Sequence, residues 1–332
     1  MKIAIINSNA AVEFGGGVRV QGIMWRDGLK KIGHECDLVN YWDIIDWDSY
    51  DWIIILGFGG TFPQLMRELP KINPNVAVAP IIDPKWSKFI YKFYAKYWGF
   101  KKHLGLSSRF HDLYLYGRDA KVYLTRSEQE TEYLSECCEI PREKIHIVPL
   151  SIRFDVADSM PQKEKFCFHC SRLRAGNKNV PRIIQAAKKY NFSLKLAGSL
   201  HGKSDEDWLK EQIGNARNIE YVGAITDEEL IGYYKRCKVF ALPSTQEGVG
   251  MVAMEAAAFG AEIVLTNIGA PKEYWHGKAE LVDPYSVDEI GNAILKCMEK
   301  DISNSDMLNF MRDNYSLEAC SKKIIDALNN VK

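Results

Sequence analysis

The sequence predicts an α/β protein built from two doubly wound parallel sheets. Three observations carry that prediction. Short apolar runs alternate with helical stretches along the chain, the pattern of strands joined by crossover helices. The alternation halts over residues 153–165, rich in Asp, Ser, Pro, Gln and Lys, and then resumes. The length of 332 residues suits two domains of ordinary size. The expected layout is a first domain over 1–152, a linker over 153–165 and a second domain over 166–305. A C-terminal helical segment, 306–332, could pack back on the first domain.

In the first half, strands are expected at Ile3 to Ile6, Cys36 to Val39, Trp52 to Leu56, Val76 to Ile82, Val122 to Thr125 and Ile145 to Val148. Gly15-Gly16-Gly17-Val18-Arg19 follows the first of them and leads into a helix ending near Leu29. Glycines there let backbone N–H groups approach a ligand at the strand's carboxyl end. The spacing is not the dinucleotide fingerprint, because Val20 stands where a third glycine is needed. Ser127 with Glu130 has the spacing of a capping box. In the second half, strands are expected at Phe166 to Cys170, Ser193 to Ala197, Ile219 to Val222, Val239 to Leu242, Glu262 to Thr266 and Ala279 to Val282. Thr226/Glu229 and Ser286/Glu289 have capping-box spacing too. No sequence repeat relates the halves.

Composition narrows the function. Forty-three basic residues balance 43 acidic ones, so the whole chain is no polyanion binder, and any such contact needs a local patch. Eight cysteines in a chain this long do not make a disulfide framework. The N-terminus lacks the apolar length of a signal peptide, and no run approaches a membrane span. The expectation is a reduced, cytoplasmic protein, with peripheral attachment to the cytosolic membrane face as an option.

The stretch from Ser244 to Gly260 carries the most chemistry. Val239 to Leu242 is a buried strand stopped by Pro243; Gly248 and Gly250 make a tight loop; Met251 to Phe259 reads as a helix stopped at Gly260. Glu247 stands ahead of that helix and Glu255 inside it, among alanines and Met254. A carboxylate on so apolar a helix is costly unless donors meet it. Both carboxylates could clasp sugar hydroxyls, with the helix N-terminus between them ready for a phosphate. Arg172, Arg174 and Lys178 follow the first strand of this half, where cations suit a diphosphate.

Rival readings attach to other motifs. Ala197 to Ser204 fits a loose Walker A loop with Lys203 as its lysine, and Asp283 is the nearest candidate for a magnesium-binding Asp. Cys167 to Cys170 has metal-like spacing but lies in an expected buried strand. Asp46-Trp47-Asp48 lies in an acidic turn and reads as solvated. From Trp86 to His103 the chain is basic and aromatic: Lys88, Lys92 and Lys96 fall on one helical line, and no acidic residue occurs between Lys85 and His111. Such a helix suits an anionic membrane surface or an acceptor groove. The plainer reading is lysines snorkelling over aromatic core.

The second half resembles the retaining glycosyltransferases of the GT-B fold, specifically glycosyltransferase family 4. The resemblance rests on Ser171-Arg172-Leu173 with Lys178-Asn179, Leu196-Ala197-Gly198, Tyr221 to Leu230, Pro243 to Ala256, Gly269 to Glu273, and Leu281 to Pro284. The first half matches more loosely, through Gly16-Gly17, Thr125 to Glu128 and Lys144 to Pro149. The resemblance implies two Rossmann-like domains facing across a cleft, a nucleotide sugar held by the second and a hydroxyl acceptor by the first. UDP- and GDP-linked donors come first, and no cofactor or metal is implied. Arg172 and Lys178 would hold the diphosphate, Glu247 the donor sugar and Glu255 the ribose. Gly198, Gly248, Gly250 and Met251 would complete the donor site, with Gly16 and Gly17 approaching the phosphate. Arg19, Trp86, Lys88, Lys92 and Lys96 would serve acceptor or membrane contact. Asp83 stands where many relatives carry a His, so the first half's catalytic contribution stays open. Val249, and Ala261-Glu262, depart from the usual pattern without removing a chemical group. The expected setting is polysaccharide or glycolipid assembly. A P-loop nucleotide triphosphatase using Lys203, and a catalytically inactive nucleotide-sugar-binding protein, remain as alternatives.

Overall fold

The computed structural model describes residues 1–8, 17–40, 42–82, 86–99, 108–269, 271–275, 277–301 and 306–331. The chain divides into two units, Met1–Ser151 with Tyr315–Lys332, and Ile152–Asn314.

The first unit runs β1 (Lys2–Asn7), α1 (Gly17–Lys31), β2 (Glu35–Val39), β3 (Trp52–Leu56), α2 (Phe62–Ile72), β4 (Val76–Ala79), α3 (Lys88–Tyr97), α4 (Arg109–Tyr116), β5 (Val122–Thr125), α5 (Glu128–Cys138) and β6 (Ile145–Ile147). Its strands form one parallel sheet in the order β2-β1-β3-β4-β5-β6. Alternate residues of a strand point to opposite faces, and here both faces are covered. Ala4, Ile6, Ile53, Ile55, Val76 and Val78 enter one buried cluster. Ile3, Ile5, Trp52, Ile54, Ala77 and Ala79 enter the other. This explains why the strands read as unbroken apolar runs.

The second unit runs β7 (Glu164–Cys170), α6 (Val180–Tyr190), β8 (Leu194–Ala197), α7 (Lys203–Ile213), β9 (Ile219–Gly223), α8 (Asp227–Arg236), β10 (Cys237–Leu242), α9 (Met251–Ala258), β11 (Glu262–Thr266), α10 (Pro271–Trp275), β12 (Glu280–Val282), α11 (Val287–Glu299) and α12 (Asp306–Tyr315). Its sheet is also parallel, in the order β12-β11-β10-β7-β8-β9. The chain leaves β7 toward β8 and β9, then returns to β10 on the other side. The switch point therefore lies between β7 and β10, where ligands of such sheets bind beyond the strands' carboxyl ends.

All twelve expected strands form, with ends that differ by a few residues. The largest difference is the run Val76 to Ile82. It stops at Ala79 because Pro80 cannot continue the ladder and Ile81 takes φ 58°, a left-handed conformation costly for a β-branched residue.

The expected linker 153–165 is a packed part of the second unit. Arg153 pairs with Glu255, Ala157 N donates to Ala258 O at 2.9 Å, and Lys163 Nζ donates to Tyr234 O and Phe259 O at 3.0 and 2.6 Å. Its polar composition reads as a linker because Asp155, Asp158, Ser159 and Gln162 are exposed, while Arg153 and Lys163 turn inward to protein acceptors. The segment 306–332 is divided. Residues 306–314 of α12 belong to the second unit, and α13 (Leu317–Asn329) packs on α1 in the first. Lys31 pairs with Glu318 at 2.6 Å, and Gly28 sits so close to α13 that a Cβ would meet Leu317 O at 2.9 Å.

Candidate active site

The switch point of the second unit gathers the predicted donor residues. The loop after β7 carries Ser171, Arg172, Asn177 and Lys178, and the loop after β10 carries Ser244, Glu247, Gly248 and Gly250. The two loops are bonded to each other. Thr245 N donates to Asn177 O at 2.9 Å, and Asn177 Nδ2 to Gln246 O at 3.2 Å. Asn179, buried at the start of α6, donates to Pro243 O at 2.8 Å and to Pro284 O at 2.6 Å.

Between the loops, Lys178 Nζ lies 2.8 Å from Glu247 Oε2, which also accepts from Ser244 Oγ at 2.9 Å. Both charged side chains are mostly buried, 18% and 12% exposed. Two residues assigned to different parts of one ligand thus meet each other first. Arg172 is exposed and makes no ion pair among the described residues, while Arg174 lies over the Trp208 ring and near Asp205 at 3.5 Å. Helix α9 begins at Met251. Its N-cap, Gly250, has φ 78°, no side chain caps it, and its first turn holds no acidic residue. The positive end of that helix is therefore uncompensated by any carboxylate of its own.

Gly198 is required by packing. A Cβ there would stand 1.9 Å from Ser171 O, at φ 146°. The glycine lets the β8 loop close on the β7 loop, so its first duty is packing. His169 shapes the same corner. Burial lowers its pKa to about 4, so the ring is neutral. Nδ1 lies 2.8 Å from Ala241 O, an acceptor only, and so carries the proton. Nε2 then accepts from Ser171 Oγ at 2.8 Å. The Nδ1–Ala241 bond joins β7 to β10 at the switch point. The Cys167–Cys170 motif is core: burial raises Cys167 far above a usual thiol and Cys170 to about 12. Among the described residues, no group of three or more His, Cys, Asp and Glu is placed to hold a metal ion.

Glu255 is not open to solvent. Arg153 Nε donates to Oε1 at 2.6 Å, and Arg153 Nη2 and Tyr234 OH each donate to Oε2 at 3.1 Å. Glu255 is 1% exposed, so the expected direct ribose contact finds its carboxylate already satisfied by protein donors. Sequence reading missed Arg153, Tyr234 and His169, and gave no separate role to Asn179 and Ser244, which lie within the motifs it singled out. The one available signal was Arg153 itself, a cation in a segment otherwise taken for a linker.

The Walker A reading fares poorly. Lys203 is exposed at the start of α7, in the loop after β8. Asp283 follows β12, four strand spacings from β8, roughly 19 Å. Its carboxylate is engaged locally, accepting from Tyr285 N at 2.9 Å. A metal ion shared by the two places is out of reach.

In the first unit, Gly16 and Asp83 lie outside the described residues, and Gly17 and Arg19 are exposed on the first turn of α1. The strained backbone at Ile81 has a holder. Glu130, buried on α5, accepts from Ile82 N, from Arg126 N at 2.7 Å and from Arg126 Nε at 3.1 Å, and Arg126 Nη2 donates to Ile82 O at 3.1 Å. So Ser127 caps α5 as expected, accepting from Glu130 N at 3.1 Å, but the Glu130 carboxylate is turned to β4's exit. Ser286/Glu289 is half a box too, since Glu289 accepts from Asp283 N at 2.9 Å; Thr226/Glu229 forms the full box.

The lysine line of α3 is largely spent inside the unit. Lys88 pairs with Glu132 and Glu136, both at 2.7 Å, and Lys96 pairs with Glu139. Only Lys92 of the three is exposed without an ion pair among the described residues. What α3 turns outward is aromatic. Phe89 is 80% exposed, and Ile90, Phe93 and Tyr97 are exposed beside it, with Trp86 stacked on Tyr94 at 5.7 Å. No helix among the described residues is long and apolar enough to cross a membrane.

Comparison with known proteins agrees with this geometry. The family described as glycosyl transferases group 1 matches residues 153–329, just over half of the chain. O-antigen chain mannosyltransferase B of Escherichia coli is 26% identical over 200 residues, covering 55% of this chain and 52% of that protein. D-inositol 3-phosphate glycosyltransferase of Corynebacterium jeikeium is 34% identical over 93 residues, covering 26% of this chain and 22% of that one. The chain thus spans about half the length of these curated relatives, or less. Among solved structures, sucrose-phosphate synthase from Thermosynechococcus elongatus superposes with TM-score 0.70 at 14% identity, covering 99% of this chain and 98% of that one. HepE from Anabaena, in complex with UDP and glucose, gives 0.68 at 14% identity, covering 99% and 100%. At such identity the likeness speaks for fold, the two-domain GT-B arrangement of doubly wound sheets. By the match of its second half, the chain belongs to the family of glycosyl transferases group 1.

Proposed function

We propose that this protein transfers a sugar from a nucleotide-sugar donor to a hydroxyl acceptor, with retention of configuration, in the assembly of a polysaccharide or glycolipid. The observation that carries the donor half is the cluster at the β7/β10 switch point: Lys178, Arg172 and the uncapped start of α9 beside Glu247. Departure of a nucleoside diphosphate builds negative charge on its oxygens. Fixed cations and helix N–H groups aimed there lower the barrier, by a few kcal/mol for each well-placed donor. Lys178 and Arg172 take that role here. When the diphosphate draws Lys178 away, Glu247 is freed to accept from hydroxyls of the donor sugar. The acceptor hydroxyl attacks from the face the diphosphate leaves. Because the protein's own cations meet the diphosphate, we propose turnover without a metal, so a chelator should leave the rate unchanged.

The relatives named for mannosyl transfer in O-antigen synthesis favour a GDP-linked donor, and the solved structure holding UDP favours a UDP-linked one. Both are tested together. Thermal shift with UDP- and GDP-sugars should raise the melting midpoint for one class. Turnover of that donor should release nucleoside diphosphate faster with acceptor than without. No shift with any nucleotide sugar would refute the reading. Magnesium-dependent ATP hydrolysis lost in Lys203→Ala would favour a triphosphatase, and binding without turnover an inactive binder. On the acceptor side, the exposed aromatic face of α3 with Lys92 supports contact with a lipid-linked acceptor or its membrane.

A further inference from the structure

Side chains take over from the ladder where β4 ends. The pairing of β4 with β5 reaches Val78 and Tyr123. Beyond it, Ile82 gives its N–H to Glu130, and its carbonyl accepts from Arg126 Nη2 at 3.1 Å. Both backbone groups of one residue are thus met by one ion pair, Arg126 Nε to Glu130 Oε2 at 3.1 Å, whose side chains are only 11% and 2% exposed. Glu130 Oε2 also accepts from Arg126 N at 2.7 Å. The pair has two firm supports. Arg126 directly follows β5, and Glu130 lies in the first turn of α5, where the helix end favours a carboxylate.

The backbone held in this way is strained. Ile81 has φ 58°, a conformation that glycine or asparagine takes at little cost and a β-branched residue does not. Its side chain packs against the cluster that holds Trp25 and Leu29 of α1, and Val18 in the first turn of α1 packs there too. Ile82 enters the cluster on the sheet's other face. The chain beyond is tied to the same helix: Tyr133 OH donates to Trp86 O at 2.8 Å, and Cys137 Sγ to Lys88 O at 3.4 Å. Glu130, Tyr133 and Cys137 are spaced i, i+3 and i+7, so one face of α5 carries all three contacts. A chain that only had to turn after Pro80 would do so more cheaply with glycine at 81. Strain kept by a buried ion pair points to a backbone whose position is put to use. The place fits, since ligands of doubly wound sheets bind beyond the carboxyl ends of the strands.

We propose that Arg126 and Glu130 are positioning residues for the transfer step. They hold the Ile81–Ile82 backbone as a fixed wall of the acceptor side, against which the acceptor hydroxyl is aligned. This rests on the reading of the first unit as the acceptor side of a glycosyltransferase, and the test separates the two. UDP and GDP are titrated calorimetrically into the full chain. Turnover is followed as nucleoside diphosphate released from UDP- and GDP-sugars, with water or a methyl hexoside as the hydroxyl acceptor. Arg126→Met and Glu130→Gln should keep wild-type nucleotide affinity while kcat falls, by about a hundredfold for a displacement near 1 Å. Ile81→Asn accepts the left-handed conformation without a clamp. Added to Glu130→Gln, it should restore part of kcat whatever it does to melting. If Arg126→Met fails to fold because Glu130 has lost donors, Arg126→Met with Glu130→Gln removes the buried charge and serves instead. Lower melting with kcat unchanged in the folded variants would overturn the proposal and leave the pair a device of the fold. Nucleotide affinity lost in step with kcat would overturn it too, because the pair would then serve the donor. Binding of no nucleotide, or no release by wild type, would overturn the transferase reading and this proposal with it.

Discussion

Replacing Lys178 by Met tests whether that lysine serves the ligand or only its neighbour. In the structure its ammonium lies 2.8 Å from Glu247 Oε2, and that oxygen has one further donor, Ser244 Oγ at 2.9 Å. Removing the ammonium leaves a mostly buried carboxylate with a single hydroxyl. A charged hydrogen bond of this kind is worth about 1.5–3 kcal/mol. In a unit of this size, each kcal/mol moves the melting midpoint by about 2–4 °C, so Lys178→Met should melt about 3–12 °C lower. If Lys178 also grips a diphosphate, nucleoside diphosphate affinity should fall about tenfold to a hundredfold. The double variant Lys178→Met/Glu247→Gln separates the two duties. It removes the stranded charge, so melting should largely recover, while affinity, measured calorimetrically, should stay low. Recovery of affinity together with melting would refute the phosphate role and leave Lys178 as a partner for Glu247 alone.

Other consequences follow from the same geometry. Gly198→Ala puts a Cβ 1.9 Å from Ser171 O at a φ of 146°; strain and overpacking should cost about 3–5 kcal/mol in thermal or denaturant unfolding, and a loss under 1 kcal/mol would contradict the packing role. Burial lowers the Lys163 pKa from 10.5 to about 8, so the unfolded chain binds this proton more tightly and charge at Lys163 costs stability below pH 8. That cost lifts as pH rises through 8 toward 10.5, so wild type should gain about 2 kcal/mol on Lys163→Met between pH 7 and 9.5; a constant gap would rule this out. On α3, Phe89→Ser with Phe93→Ser should reduce co-sedimentation with anionic vesicles while leaving the Lys88 and Lys96 pairs intact. Wild type that ignores such vesicles at low salt would end the membrane reading.

Which features the sequence disclosed follows from the range of the forces involved. Strands were legible because a parallel sheet covered on both faces demands unbroken apolar runs, and Ile53–Ile55 or Val239–Leu242 can satisfy little else. The switch-point cluster was legible for a similar reason: strand, glycine loop and helix are consecutive, so local chemistry already places Glu247 before α9. Partners of charged groups were not legible, since they are chosen by the fold. Arg153 and Glu255 are 102 residues apart, Glu130 turns from its expected cap to Ile82 48 residues away, and Lys88 finds Glu132 and Glu136 on a different helix. In each case the sequence marked a charge needing compensation and left the compensator unnamed. An apolar helix bearing a carboxylate signals a buried partner before it signals a ligand, because a ligand is absent while the chain folds and the charge must be satisfied throughout.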